Sequence, residues 1–316
     1  MNNINLNEEI KVYDLINDEH KDLLWGLRFV ALENSWKYIN KKNLSKIRIA
    51  LIDSGVDMNH EDLKSSLCEG YNFIDNNYNT DDDFGHGTRI AGVIAAEKNN
   101  WIGVAGVASG SKLVPLKVMN SSGRASIENV IKAVEWCIKN DIDIINLSIG
   151  YQRKGKNLIF NNFDYYDKEK DVIDKALKKG ITIISSVGNH ANEAMNYPAC
   201  LNGVISVASY GIYSDTLEIY SAPKNNKCSK KTIYAPGQYI YTTEINNRYI
   251  YEFGSSIACG FVTGAIALLK SIKKDLKPLE VQQLLLETCT QIDDGNMKIL
   301  NIDSAVSALK KRCEEE

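Results

Sequence analysis

The sequence predicts an α/β fold, a parallel β-sheet flanked by helices on both faces. Apolar, β-branched runs of strand length recur along the chain. Helical periods fall between several of them, and neither an internal repeat nor a Pro/Gly/Ser linker interrupts the alternation. The run 47–52 is apolar without alternation, as a strand buried on both faces requires, and it ends at Asp53-Ser54-Gly55. Residues 88–96 carry helical spacing, and 113–118 form the next strand. Residues 126–139 read as an amphipathic helix with Ser126 as its N-cap, and 142–149 as a third strand. A helix over 168–179 stops at Gly180, the residue type that accepts the left-handed turn after a helix. Strands follow at 181–186 and 204–208. Two helices, 256–273 and 278–290, close the chain, the second opening on Pro278 in the first turn. Strands joined through helical crossovers pair in parallel.

Composition bounds the function. The 316 residues are 44% hydrophobic and 24% charged, ordinary for a globular chain with a sizeable core. A net charge of -3 leaves no basic excess to pair with phosphates, so nucleic acid is not an expected partner. No apolar stretch reaches the roughly 18 to 20 residues of a membrane span. Residues 1–9, rich in Asn and acid, lack the form of a secretory signal. Seven cysteines (Cys68, Cys137, Cys200, Cys228, Cys259, Cys289, Cys313) include no Cys-x-x-Cys pair and suit free thiols in a reducing compartment, so a cytoplasmic location is expected. Residues 1–17 read as a short extension and 18–316 as a single domain.

Three glycine-framed segments carry chemistry. Asp53 ends a strand, His86 stands in Gly85-His86-Gly87-Thr88 before a helix, and Ser256 stands in Gly254-Ser255-Ser256-Ile257-Ala258 at the head of another. Singly, Asp53 and His86 are loop-end polar residues and Ser256 an N-cap. Together they supply a hydroxyl too weak to attack unaided, an imidazole to take its proton, and a carboxylate to fix the imidazole's tautomer.

These segments and Ser186-Val187-Gly188-Asn189 resemble, in order, the four signature segments of subtilisin-like serine peptidases, the subtilases. Trp25-Gly26-Leu27 with Trp36, Asn146-Leu147-Ser148-Ile149-Gly150 and Ala235-Pro236-Gly237 extend the resemblance over residues 17–292. It implies a subtilisin-like fold with Ser256 as nucleophile, His86 as general base and then acid, and Asp53 as orienting carboxylate. Asn189 matches the family's oxyanion-hole asparagine, although asparagine after glycine is also a common turn former. Substrate would bind as an added strand between Ser148-Ile149-Gly150 and Gly123-Arg124-Ala125. Arg124 would favour an acidic or polar side chain two to four positions before the cut, unless it is simply an exposed loop arginine. Ser186, Val187, Gly188 and Asn196 would line the pocket for the residue just before the cut.

The sequence departs from the family where Gly260 and Phe261 replace proline and histidine after the serine, and where Arg89 replaces a second histidine after His86. Glycine for proline is expected to loosen the start of the serine helix. Resemblance also implies a calcium (Ca2+) site from Asp18, Asp62 and Asn100 with carbonyls of Glu97, Ile102 and Val104, an oxygen set suited to a hard cation. Taken singly these residues would be ordinary polar side chains facing water. Asp75 with Asp81, Asp82 and Asp83 reads as a solvated loop rather than a second ion site. Residues 151–171 form an insertion expected to overhang the substrate groove. With only 17 residues before Asp18 there is no room for a folded inhibitory pro-domain, and restricted specificity follows as an expectation. The expected activity is a serine endopeptidase acting on a peptide, such as removal of a leader from a modified precursor peptide. The alternatives are a housekeeping intracellular subtilase and a catalytically silent subtilase that only binds peptides.

Overall fold

A computed structural model describes residues 13–151, 163–191, 193–213 and 216–315. Most of the extension 1–17 and the middle of the insertion, 152–162, lie outside the described residues. Twelve strands are present among them: β1 Arg48–Asp53, β2 Tyr71–Asn72, β3 Lys112–Lys117, β4 Ile144–Leu147, β5 Thr182–Ser186, β6 Ile205–Ile212, β7 Ile219–Ser221, β8 Ile233–Pro236, β9 Ile240–Glu244, β10 Arg248–Glu252, β11 Thr290–Ile292 and β12 Met297–Ile299. The helices are α1 Trp25–Phe29, α2 Glu33–Tyr38, α3 Lys41–Leu44, α4 His86–Ala95, α5 Ile127–Lys139, α6 Phe163–Lys178, α7 Ser255–Ile272, α8 Pro278–Thr288 and α9 Ile302–Glu315.

A ten-stranded sheet runs β11-β12-β8-β6-β5-β4-β1-β3-β2, with β7 paired to β6. All of its pairings are parallel except β11 with β12 and β6 with β7. Strand pleating assigns the two faces. Ile49 and Leu51 join the core that holds α4, α7, α8 and α9, whereas Ala50 and Ile52 join the one that holds α5 and α6. The predicted layered architecture is therefore what forms.

The elements differ from the expected ones mainly at their ends. The helix expected at 168–179 starts at Phe163, and α9 follows the helix expected to close the chain. The strand expected at 142–149 shortens to β4, since only Ile144–Leu147 keep ladder partners. The short strands β8 to β12 carry too few residues for a periodicity signal. By length and composition α7 could cross a membrane, but it is buried through nearly its whole length inside the core.

Chain order fixes where a site can form. From β1 the chain runs to β3 on one side and later returns to β4 on the other, so the sheet reverses its winding between β1 and β4. A crevice opens at the carboxyl ends of strands at such a point. Asp53 ends β1 there, and Ser148 follows β4.

Candidate active site

Asp53 is fully buried at the end of β1, and its Oδ1 accepts hydrogen bonds from Ser54 N (2.8 Å) and His86 Nδ1 (2.7 Å). Because a carboxylate only accepts, the proton of neutral His86 sits on Nδ1 and Nε2 is left as the basic nitrogen. His86 opens α4, whose approach to β1 needs glycine: a Cβ on Gly87 would lie 2.0 Å from Gly55 O and 3.2 Å from Asp53 Cβ. The acidic loop before His86 is not merely solvated. Asp82 Oδ2 caps α4 by accepting from Thr88 N (2.9 Å) and Thr88 Oγ1 (2.7 Å), and its Oδ1 accepts from Gly85 N (2.8 Å). Asp83 pairs with buried Lys117 at 2.6 Å. These contacts hold the loop, and through it the imidazole.

Ser256 lies in the first turn of α7 beneath Gly254, whose φ of +125° suits glycine and whose added Cβ would meet Asn189 Nδ2 at 2.9 Å. Asn189 Oδ1 accepts from Ser255 N (2.9 Å) and Ser255 Oγ (3.0 Å), which leaves its amide nitrogen as the free donor end. A buried chain braces the nucleophile's backbone. Thr263 Oγ1 donates to Asn146 Oδ1 (2.8 Å), Asn146 Nδ2 to Ser148 Oγ (2.7 Å), and Ser148 Oγ to Ser256 O (3.2 Å). Ser256 Oγ makes no hydrogen bond to His86, a looseness common before substrate binds.

One open cleft of about 990 Å³, its mouth included, holds His86, Asn189 and Ser256 together. The expected substrate residues Gly123, Ala125, Ser148, Ile149, Gly150, Ser186, Gly188 and Asn196 line it. Two expected residues do not. Val187 is fully buried against Ala208, Tyr210 and Tyr234, because strand alternation turns it from Ser186 into the core. Arg124 is exposed and absent from the lining, its backbone tied to Asn120. Tyr151 and Glu169, from the insertion expected to overhang the groove, are on the lining, whereas sequence reasoning missed Phe84, Met119 and Pro198. A signal existed for Glu169: in α6 it shares an i, i+3, i+4, i+7 face with Tyr166, Ile173 and Ala176, a charge within an apolar stripe.

The departures from the family acquire partners. Arg89 donates from Nε to Glu244 (2.7 Å) and from Nη1 to Glu252 (2.6 Å), tying α4 to the β9–β10 hairpin. Gly260 does not fray α7, which runs unbroken; a Cβ there would meet Val93 Cγ1 at 2.9 Å, so glycine admits α4 against α7. Burial works against the charged form of His86, but the charge and hydrogen bond of Asp53, with Glu252 and Asp82 behind them, outweigh it. The imidazole is held above its ordinary value near 6.5.

Of the residues expected to hold calcium, Asp18, Asp62 and Asn100 lie together. Loop 97–104 wraps the buried carboxylates of Asp62 and Asp18. Asp62 Oδ2 accepts from Val104 N (2.8 Å), its Oδ1 from Asn100 Nδ2 (2.8 Å), and Asp18 from Asn99 N (3.1 Å). Burial lifts the Asp62 carboxyl to about 7, and the negative charge of Asp18 adds to the shift. Two desolvated carboxylates side by side fit a hard cation. Asn100 Oδ1 accepts from Ile102 N (2.9 Å), so it has one lone pair to offer. No group of three His, Cys, Asp or Glu that could hold a metal occurs among the described residues, so carbonyl oxygens would have to complete the shell.

The family model described as the subtilase family matches residues 45–303. The chain is 30% identical over 285 residues to the major intracellular serine protease of Bacillus subtilis (strain 168), covering 85% of this chain and 83% of that protein. It is 30% identical over 269 residues to subtilisin DY of Bacillus licheniformis, covering 83% of this chain and 91% of that one. Among solved structures it resembles a cold-adapted subtilisin-like serine proteinase with a TM-score of 0.73 at 25% identity, over 90% of this chain and 98% of the other.

Proposed function

The chain belongs to the subtilase family and is a subtilisin-like serine peptidase, and from that premise we propose that Ser256, His86, Asp53 and Asn189 hydrolyse a restricted set of peptides in the cytoplasm. The carrying observation is the 2.7 Å bond from His86 Nδ1 to Asp53 in the cleft that also holds Ser256 and Asn189. Ser256 Oγ attacks the scissile carbonyl and gives its proton to His86 Nε2. The imidazolium then protonates the leaving amine. Water, deprotonated by the same nitrogen, releases the acyl group and restores the serine. The developing oxyanion is met by the amide nitrogen of Asn189 and the N–H of Ser256 at the start of α7, whose dipole favours negative charge.

Restriction is supported by the insertion, whose Tyr151 and Glu169 reach the cleft wall. Removal of a leader from a precursor peptide fits such an enzyme. A cytoplasmic location is supported by seven free cysteines and by the named intracellular relative. The test has two arms. A fluorophosphonate should label Ser256 stoichiometrically, and an unfolded protein such as casein should be cut at few sites. No labelling would end the peptidase reading, and broad digestion of casein would favour the housekeeping alternative.

Asn189→Leu should lower kcat by about 10²- to 10³-fold with KM nearly unchanged, a magnitude measured on subtilisin itself, a member of this family. Steady-state kinetics check it, and an unchanged kcat would remove Asn189 from the oxyanion site.

We propose further that Asp18, Asp62 and Asn100, with carbonyls of Glu97, Ile102 and Val104, hold a stabilising calcium ion. An ion that binds only the folded state adds about 2.7 kcal/mol at a hundredfold excess over its Kd. EDTA should therefore lower Tm, and Asp62→Ala should remove that sensitivity. Coincident melting curves with and without EDTA would reject the site.

A further inference from the structure

Arg89 follows His86 by three positions on α4, and two carboxylates of the β9–β10 hairpin share its guanidinium. Nε donates to Glu244 Oε2 (2.7 Å) and Nη1 to Glu252 Oε2 (2.6 Å). Each carboxylate gives its other oxygen to the backbone that follows it: Glu244 Oε1 accepts from Ile245 N (2.8 Å) and Glu252 Oε1 from Phe253 N (2.8 Å). Glu244 is buried and its two partners are half-buried, so these charged bonds are only partly weakened by water. The cluster touches both halves of the catalytic pair. A Cβ on Gly85, the residue before His86, would lie 2.5 Å from Glu244 Oε1 and 3.1 Å from Arg89 Nη2, so the turn that presents the imidazole rests directly on the ion pair. On the other side Phe253 leads into Gly254, the N-cap of α7, whose first turn carries Ser256.

The separation of base and nucleophile depends on how α4 meets α7 and the segment that enters it. Apolar packing, with Gly260 against Val93, brings the helices close but is not directional. A planar guanidinium held between two carboxylates fixes direction as well. Strand β9 adds two further bonds to the same turn of α4, from Thr242 Oγ1 to Arg89 O (2.8 Å) and from Thr243 Oγ1 to Thr88 O (2.7 Å). The charged groups that act on His86 come from every side: Asp53 from β1, Asp82 from the preceding loop, Glu252 from β10, and Arg89, the partner of Glu252, from its own helix. One cation between two anions leaves a net negative charge beside the imidazole.

We propose that Arg89 is a positioning residue of this peptidase, which through Glu244 and Glu252 holds His86 in register with Ser256 and offsets the charge of those two carboxylates beside the base. This rests on the peptidase reading of Ser256 and His86 and adds the residue that sets their alignment. Proton transfer from Ser256 to His86 is sensitive to such alignment, since a shift of about 1 Å costs on the order of 10²-fold in rate. Lysine cannot replace the arginine here, because its ammonium carries the charge without the planar fork that spans both carboxylates.

The test follows the rate constant for fluorophosphonate labelling of Ser256 against pH in the wild type, Arg89→Met, Arg89→Lys and Glu252→Gln. Labelling needs the serine and its base but no knowledge of the natural substrate. On the plateau above the acid limb, where His86 is neutral, the constant reads alignment, and the position of the limb reads the charge around the base. Arg89→Met should lower the plateau by about 10²-fold. It should also move the limb to higher pH, because carboxylates left without their cation favour the imidazolium. Arg89→Lys should leave the limb in place while its plateau falls between those of the wild type and Arg89→Met. Glu252→Gln keeps the shape of the side chain and removes its charge, so its limb should move to lower pH. A wild-type plateau in Arg89→Lys, or an acid limb that Glu252→Gln leaves in place, would overturn the proposal even where Arg89→Met does not fold. A lowered plateau in Arg89→Met with an unmoved limb would mark a purely structural role and overturn it equally. A wild type that takes up no label would overturn the peptidase reading and this proposal together.

Discussion

Ser256→Ala is expected to lower kcat by about 10⁶-fold, leaving only the roughly 10³- to 10⁴-fold advantage over water that binding and oxyanion stabilisation supply. Both figures come from subtilisin, within the same family. The physical reason is that alanine removes the sole group positioned to form the acyl intermediate. The remaining groups can polarise a carbonyl but cannot split the reaction into two easier steps. The fold should tolerate the change, since the hydrogen bonds at the head of α7 run through Ser255, Ser148 and the Ser256 carbonyl and not through the Ser256 hydroxyl. Single-turnover assays with a peptide amide, together with an unchanged melting curve, check the result. A variant retaining a hundredth of wild-type activity would place the nucleophile elsewhere.

Asp53→Asn has the second-largest expected effect, about 10⁴-fold in kcat, the scale found for the equivalent carboxylate in serine peptidases including subtilisin. Asparagine keeps the shape but presents an amide that can donate to His86 Nδ1, which stabilises the tautomer with its proton on Nε2, unable to accept from Ser256. The sign of the pH effect follows from the charge removed. Asp53 is the leading influence that raises the His86 pKa against its burial, so its neutralisation lowers that pKa. His86 must be neutral to act as base, so the acid limb of the residual kcat/KM should move to lower pH. An acid limb that stays in place would show that Asp53 does not set the protonation of His86.

The chemistry at the ends of β1, α4 and α7 was legible in the sequence because each residue there is bound to its own backbone context. Asp53 closes an apolar run, while His86 lies between Gly85 and Gly87 and Ser256 two residues after Gly254, glycines that allow the turns and close approach observed there. Spacing along the chain carries such information directly. Side-chain direction near a strand end was less secure, as Val187 shows. It lies between Ser186 and Gly188, which line the cleft, and yet pleating turns it into the core.

What the sequence by itself determined is the α/β class, the order of the principal strands and helices, and the residues gathered at the carboxyl ends of the strands. Local propensity and apolar periodicity suffice for the first two, because each is a property of neighbouring residues, whereas the site residues were legible from their glycine-framed motifs and the family resemblance. Only the tertiary structure decided the partners brought together over long separations. Arg89 meets Glu244 and Glu252 after more than 150 intervening positions, Gly260 admits Val93, and Asp62 meets loop 97–104. It also decided that Glu169 faces the cleft with one oxygen unpaired. Burial, desolvation and ion pairing depend on which surfaces close on one another, and that is set by how helices and strands pack rather than by spacing along the chain.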